Sequence, residues 1–269
     1  GDFFVFASDA SNLVPGDTNN RTDIFLYERD EDEIERISTR EFVQSNGHSR
    51  LPVISGNGRF IAFESDASNL VPGDTNGVTD VFVYDRFTEQ IERVSVNEFY
   101  EEGDGASFHP SISMEGDFIA FATDASNLDY FPDNNDRRDI YIRDMEYEYT
   151  VRVSFGINGE ETDGDSFAPK IGLDASSVVF TSEATNLVPV PVQGINVYLI
   201  EEGLPPELMS VSSEEVPANA PADQIAVSAD GRWVLFASSA TNLSPADTNT
   251  FADIFTRDRA TRGKSTRYT

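Results

Sequence analysis

Residues 51–96 read LPVISGNGRFIAFESDASNLVPGDTNGVTDVFVYDRFTEQIERVSV, and the rest of the chain repeats this stretch. Apolar residues alternate over short runs bounded by Gly, Asn, Asp and Pro, which is the pattern of strands joined by tight turns. Strands are expected at residues 51–55, 60–65, 80–85 and 91–96. The first turn, around Asn57-Gly58, and its counterparts Glu115-Gly116 and Asp230-Gly231 supply the positive-φ residue that a short hairpin needs.

The dipeptide Asn-Leu recurs at Asn12, Asn69, Asn127, Asn186 and Asn242. Six residues before each Asn stands a Phe (Phe6, Phe63, Phe121, Phe180, Phe236), and two residues before it an Ala. A frame held over five copies defines a repeat architecture. Four antiparallel strands per copy and no helical period describe an all-β β-propeller of five blades. The expected organisation is one propeller domain over residues 1–269, with repeats at about 1–39, 48–96, 106–155, 166–213 and 221–269. Gly1-Asp2-Phe3 aligns with Gly58-Arg59-Phe60, so the first blade is expected to lack its innermost strand. The cut frame and the opening GDFFVFAS, without a Met or a basic leader, make a fragment of a larger parent chain the expectation.

The residues carrying the pattern are F-x-x-F-x-S in the second strand, D-[IV]-[FY] at the start of the third and R-[IV]-S in the fourth. They resemble the TolB-like, WD-repeat-like propeller family over essentially the whole chain. That resemblance implies a scaffold with varied partners and a secreted, periplasmic or cell-surface setting. It also implies that an Asp opening the third strand is common without any ion.

The chain has 19 Lys and Arg against 48 Asp and Glu, a formal charge of −29. Nucleic acid and anionic membranes are excluded as partners by the lack of clustered cations. A saline setting or a cationic partner fits. There are no cysteines, hence no disulfide, thiolate metal site or Cys nucleophile. No apolar run reaches the roughly 18 residues of a membrane helix.

A second pattern, D-x-N-x-x-x-D, lies in the long loop after the second strand. It occurs as Asp17, Asn19, Asp23; Asp74, Asn76, Asp80; Asp133, Asn135, Asp139; and Asp247, Asn249, Asp253. Oxygens spaced by two along a turn can converge on calcium, which wants six to eight of them. Two carboxylates this close also require a cation to offset their repulsion. In the fourth copy Val190, Val192 and Asn196 replace all three residues together, as a ligand set would be lost. Asx-turns account for the same residues without metal, so calcium and a metal-free turn both stand as readings. Asn186, which survives in that copy, is expected to bond loop backbone.

Only His48 and His109 are present, at different places in their repeats, and no nucleophile elbow, metalloprotease or phosphate-loop motif occurs. Phe6, its equivalents and Trp233 are expected in the core. Loop aromatics outside the frame, Phe99, Tyr100, Tyr130, Phe131 and Phe251, are the expected contact residues. The reading is a non-catalytic binding or assembly module with a protein or glycan partner. The alternatives are a calcium-stiffened structural repeat domain and a hydrolase or lyase.

Overall fold

The structure, a computed structural model, describes every residue except 132, 173–174, 262–264 and 269, and gives no side chains for 261 and 265–268. The chain divides into two compact units, Gly1–Pro132 with Arg143–Val151, and Asp133–Ile142 with Arg152–Thr269.

Every sheet is antiparallel and ordered as the chain runs, as propeller blades are. The first holds three strands, β1 (Phe3–Ser8), β2 (Asp23–Glu28) and β3 (Glu33–Arg36), and a small hairpin of β4 (Thr39–Arg40) and β5 (Val43–Gln44) follows. The second sheet has four: β6 (Ser49–Ile54), β7 (Phe60–Ser65), β8 (Asp80–Asp85) and β9 (Gln90–Arg93). The third is built from β10 (Ser107–Ile112), β11 (Phe118–Thr123), β12 (Asp139–Asp144) and β13 (Tyr149–Arg152), and β12 and β13 contribute residues to both units. The fourth comprises β14 (Ser166–Ile171), β15 (Ser177–Ser182), β16 (Asn196–Glu201) and β17 (Glu207–Leu208). The fifth comprises β18 (Ala222–Val227), β19 (Trp233–Ser238), β20 (Asp253–Asp258) and β21 (Ser265–Tyr268). The strand count thus follows the repeat frame, and the first sheet lacks a counterpart of β6.

The motif residues explain themselves in the packing. The repeated Phe pairs with an aromatic of the next strand: Phe63 stacks on Phe82 at 5.9 Å, Phe180 on Tyr198 at 6.0 Å and Phe236 on Phe255 at 5.7 Å. All six rings are fully buried. The Ser closing the motif bonds the first strand of its own blade, Ser65 to Ser49 at 2.9 Å and Ser182 to Ser166 at 3.0 Å. In the first unit Ile24, Ile37, Ile61, Phe63, Leu70 and Phe82 form one core. In the second, Val179, Met209, Val234, Phe236, Leu243 and Phe255 form another.

Two sequence expectations are corrected. The last strand of the second blade ends at Arg93 rather than running to residue 96. The Ser95 hydroxyl, at 3.2 Å, takes the Val81 amide as donor and so displaces the ladder there. Trp233 is 37% exposed, with the Arg232 guanidinium 5.2 Å from its ring, because it opens a strand instead of lying mid-strand.

Candidate functional site

Three of the four D-x-N-x-x-x-D loops are gathered on an arginine. Arg36, from the end of β3, sets Nη1 3.2 Å from Asp17 and 3.9 Å from Asp23. Arg93 sets the same atom 3.5 Å from Asp74, 3.3 Å from Asp80 and 2.9 Å from Glu102. Arg152 lies 3.0 Å from Asp133, 3.5 Å from Asp139 and 3.5 Å from Glu161. These three guanidiniums are nearly or fully buried, so the ion pairs work in a medium where charge is weakly screened.

The middle Asn closes the loop as a donor. Asn19, Asn76 and Asn135 give Nδ2–H to Asp23, Asp80 and Asp139 at 2.9, 3.0 and 3.0 Å. Their Oδ1 atoms accept the amides of Arg21, Val78 and Arg137, which makes each an Asx-turn. The second Asp also accepts a serine hydroxyl from the last strand's R-[IV]-S: Ser38 at 2.6 Å, Ser95 at 2.6 Å and Ser154 at 2.5 Å.

The cation between the carboxylates is the protein's own guanidinium, and the Asn presents an N–H where a ligand oxygen would be needed. Among the described residues no group of three or more His, Cys, Asp or Glu is disposed to hold a metal. The fourth copy fits this account. Where Val190, Val192 and Asn196 stand in for the Asp, Asn and Asp of the motif, Leu208 stands in for the arginine, since Tyr198 pairs with Leu208 as Phe82 pairs with Arg93. Val192 and Leu208 are buried, whereas Val190 is exposed. In the fifth copy, Asp247 accepts the Asn249 amide at 3.1 Å and Asn249 the Phe251 amide at 2.7 Å. Arg267 holds the matching register there, opposite Phe255, and Asp253 opens β20 as Asp80 opens β8. The arginines were quoted in the sequence motif yet not joined to the loop. Their loss together with the acids in the fourth copy was the available signal.

The repeated Asn-Leu asparagine bonds loop backbone as expected. Asn69, Asn127, Asn186 and Asn242 each donate to a carbonyl of the preceding inter-blade loop, of Gln44, Glu102, Glu161 and Pro217, at 2.8–2.9 Å.

The loops so fixed present the aromatics. A cavity of about 300 Å³ in the first unit is lined by Glu98, Phe99, Glu101, Asp129, Tyr130 and Tyr149, over a floor that includes Leu128 and Thr150. Phe99 is 73% exposed and Tyr130 84%. The turn carrying Phe99 is held by Asn97, whose Oδ1 accepts the amides of Phe99 and Glu101 at 2.9 and 3.0 Å. Tyr100, at φ 61°, turns away from the cavity lining onto the buried Arg143, 5.4 Å from its ring. Phe131 meets Tyr130 edge-on at 5.6 Å. Phe251 is exposed in the second unit. Of the five expected contact residues, then, the structure brings Phe99 and Tyr130 to one cavity. Tyr149, which opens β13, and the acids of the rim were missed in the sequence, because loop and strand-end residues carry no periodic signal.

His48 Nδ1 accepts the Thr22 amide at 3.0 Å, and the backbone amide of His109 donates to the buried Glu64 carboxylate at 2.9 Å.

No protein-family model and no curated protein sequence matches the chain. Solved structures define the class: the fold is a TolB-like β-propeller. TolB from Acinetobacter baumannii superposes at TM-score 0.57 and 16% identity, with all of this chain on 54% of that one. An oligogalacturonate lyase in complex with manganese gives 0.62 and 11%, covering 100% of this chain and 62% of that one. The β-propeller domain of the Trilobed protease from Pyrococcus furiosus gives 0.55 and 12%, over 96% and 66%. The chain spans about half the length of that TolB. A fold that carries a lyase as well as TolB leaves function to the site.

Three predictions follow from the arginine clusters. Arg93→Leu should cost about 3–5 kcal/mol in urea unfolding, because it leaves carboxylates buried without a cation. Changing Asp74→Val, Asn76→Val, Asp80→Asn and Arg93→Leu together, which copies the fourth repeat, should cost less than Arg93→Leu alone; a larger loss would refute the view that acids and arginine are needed only as a set. Calcium at millimolar concentration should leave the melting temperature of chelator-stripped protein unchanged, whereas a saturable upward shift would put metal back in the loops.

A fourth concerns pH. Burial pushes the Asp74 carboxyl up to about 6 from its ordinary 3.8, Asp80 and Glu102 adding and Arg93 opposing. Burial raises Asp80 and Asp133 as well. A carboxyl held above its unfolded value keeps its proton more tightly when folded, so its stabilisation is present below the unfolded value and lost as pH rises through the folded one. Self-repulsion at a net charge of −29 acts in the same direction. Unfolding free energy should therefore drop by about 1–3 kcal/mol between about pH 4.5 and pH 7. Asp74→Asn should flatten the profile, and an unchanged slope in that variant would remove Asp74 as its source.

Proposed function

We propose that the chain is a non-catalytic binding module that docks a basic polypeptide segment on the aromatic, acid-rimmed cavity of its first unit. The observation that carries this reading is the cavity itself: exposed Phe99 and Tyr130 held beside Glu98, Glu101 and Asp129, with no Lys or Arg in its lining. Aromatic rings exposed at this level are costly unless covered, and they are the anchors on which binding energy concentrates. A ring flanked by carboxylates favours a cation, through the ring's quadrupole and through Coulomb attraction together.

The Asn97 turn supports binding in a second way. Because its backbone is already fixed by four hydrogen bonds to or from Asn97, little ordering entropy is lost on docking. The acidic surface steers cationic segments toward it. The acidic, cysteine-free composition suits a secreted, periplasmic or cell-surface setting.

A random peptide library displayed on phage tests the reading. Selection should enrich basic peptides that bind wild-type protein and lose at least tenfold in affinity for the Phe99→Ser, Tyr130→Ser double variant. These residues are exposed, so the variant keeps the fold. Peptides that bind both proteins equally, or no enrichment, would refute it, and capture of neutral glycans by the same residues would reassign the ligand class.

A further inference from the structure

An asparagine followed by glycine is chemically labile, because glycine, lacking a β-carbon, lets its backbone nitrogen approach the neighbouring carboxamide. The chain holds such pairs at Asn46-Gly47, Asn57-Gly58, Asn76-Gly77 and Asn158-Gly159. The residues before them are Ser45, Gly56, Thr75 and Ile157. Ile157 is the bulkiest of these, so local sequence does not favour the last pair. The tertiary structure does.

In the first three pairs the carboxamide is held at both ends. Asn46 accepts the Ser68 amide on Oδ1 and donates Nδ2–H to the Ser68 hydroxyl, both at 2.9 Å. Asn57 accepts the Ser55 hydroxyl at 2.6 Å and the Arg59 amide at 3.0 Å, and donates to the Glu115 carbonyl at 3.0 Å. Asn76 accepts the Val78 amide at 3.2 Å and donates to Asp80 and to the Gly103 carbonyl, both at 3.0 Å. Gly47 and Gly58 are also buried. In these pairs the carboxamide must break its bonds and turn before any nitrogen can reach Cγ.

Asn158 is different. Both it and Gly159 are exposed. Its backbone amide donates to Glu160 at 3.0 Å, while its carboxamide bonds nothing among the described residues. The turn is closed by the Gly159 amide on the Gly156 carbonyl at 2.8 Å, with Gly159 at φ 82°. A hydrogen bond of that kind at the surface opens locally without unfolding the blade.

We infer that Asn158 is the chain's site of succinimide formation, and hence of conversion to aspartate and isoaspartate. The Gly159 nitrogen attacks Cγ of Asn158. The new N–Cγ bond closes the imide ring, the Cγ–Nδ2 bond breaks, and ammonia leaves with the amide proton. Water then opens the ring. Attack at Cγ gives aspartate, and attack at the main-chain carbonyl gives isoaspartate, whose backbone runs through Cγ. Either product adds a negative charge beside Glu160 and Glu161. Isoaspartate also lengthens the turn whose ends pair as Phe155 with Glu161. Glu161 accepts the Asn134 amide at 2.8 Å and lies 3.5 Å from Arg152, so the lengthened turn bears on the arginine cluster of the third repeat. This site is independent of the aromatic cavity and of the binding reading.

The test is peptide mapping by mass spectrometry after the folded protein is aged at mildly alkaline pH, with isoaspartate counted by enzymatic methylation. Asn158 should convert at least roughly tenfold faster than Asn46, Asn57 or Asn76, each of which must first give up two or more hydrogen bonds. In urea-unfolded protein Asn158 should lose that lead. Asn158→Ser, at an exposed position, should remove the fast product and leave the other rates unchanged. Another pair converting first in the folded protein, or Asn158 leading by the same margin in urea, overturns the inference.

Discussion

Two aspartates brought together at the start of a strand repel each other, and burying them makes the repulsion stronger. The arginine from the blade's last strand resolves this in three of the repeats. Arg36, Arg93 and Arg152 tie the loop that follows the second strand to the end of the fourth, with Asn and Ser satisfying the remaining oxygens. The long loop is thereby turned into a fixed part of the blade. In the fourth repeat the acids and the arginine are absent together, and buried Val192 and Leu208 stand in that repeat's loop and last strand.

The exposed aromatics of the first unit hang from loops held in this way. The asparagine of four of the five Asn-Leu pairs fastens the inter-blade loop to the long loop of the next blade, and in the second repeat Glu102 belongs at once to the Arg93 cluster and to the loop that bears Phe99 and Tyr100. Exposed aromatics on a mobile loop would lose much of their binding energy to ordering. Here the turn that carries Phe99 is already ordered by Asn97.

Much of this was legible before any coordinates. Strands at residues 60–65 and 80–85 were read to the residue, since period-two alternation and Gly-bounded turns leave little choice, and Gly58 and Gly116 adopt the positive φ that their turns demand. The short fourth strand was overread because a serine hydroxyl competing for a backbone amide has no periodic signature. Trp233 was placed in the core by alignment with Phe60, although the position opens a strand and stays half open to solvent.

The loop motif marks the boundary most clearly. Sequence alone determined the repeat, the all-β class, the turns and the fact that close carboxylates needed a cation, because each of these is set by neighbours along the chain. Only the tertiary structure decided which cation it is. Asp74 and Arg93 are separated by two strands and a turn, and antiparallel pairing of Phe82 with Arg93 brings them together. The aromatic cavity was decided the same way. Phe99 and Tyr130 lie in two different loops and Tyr149 opens β13, and folding of the third blade with the loop before it gives them a common space.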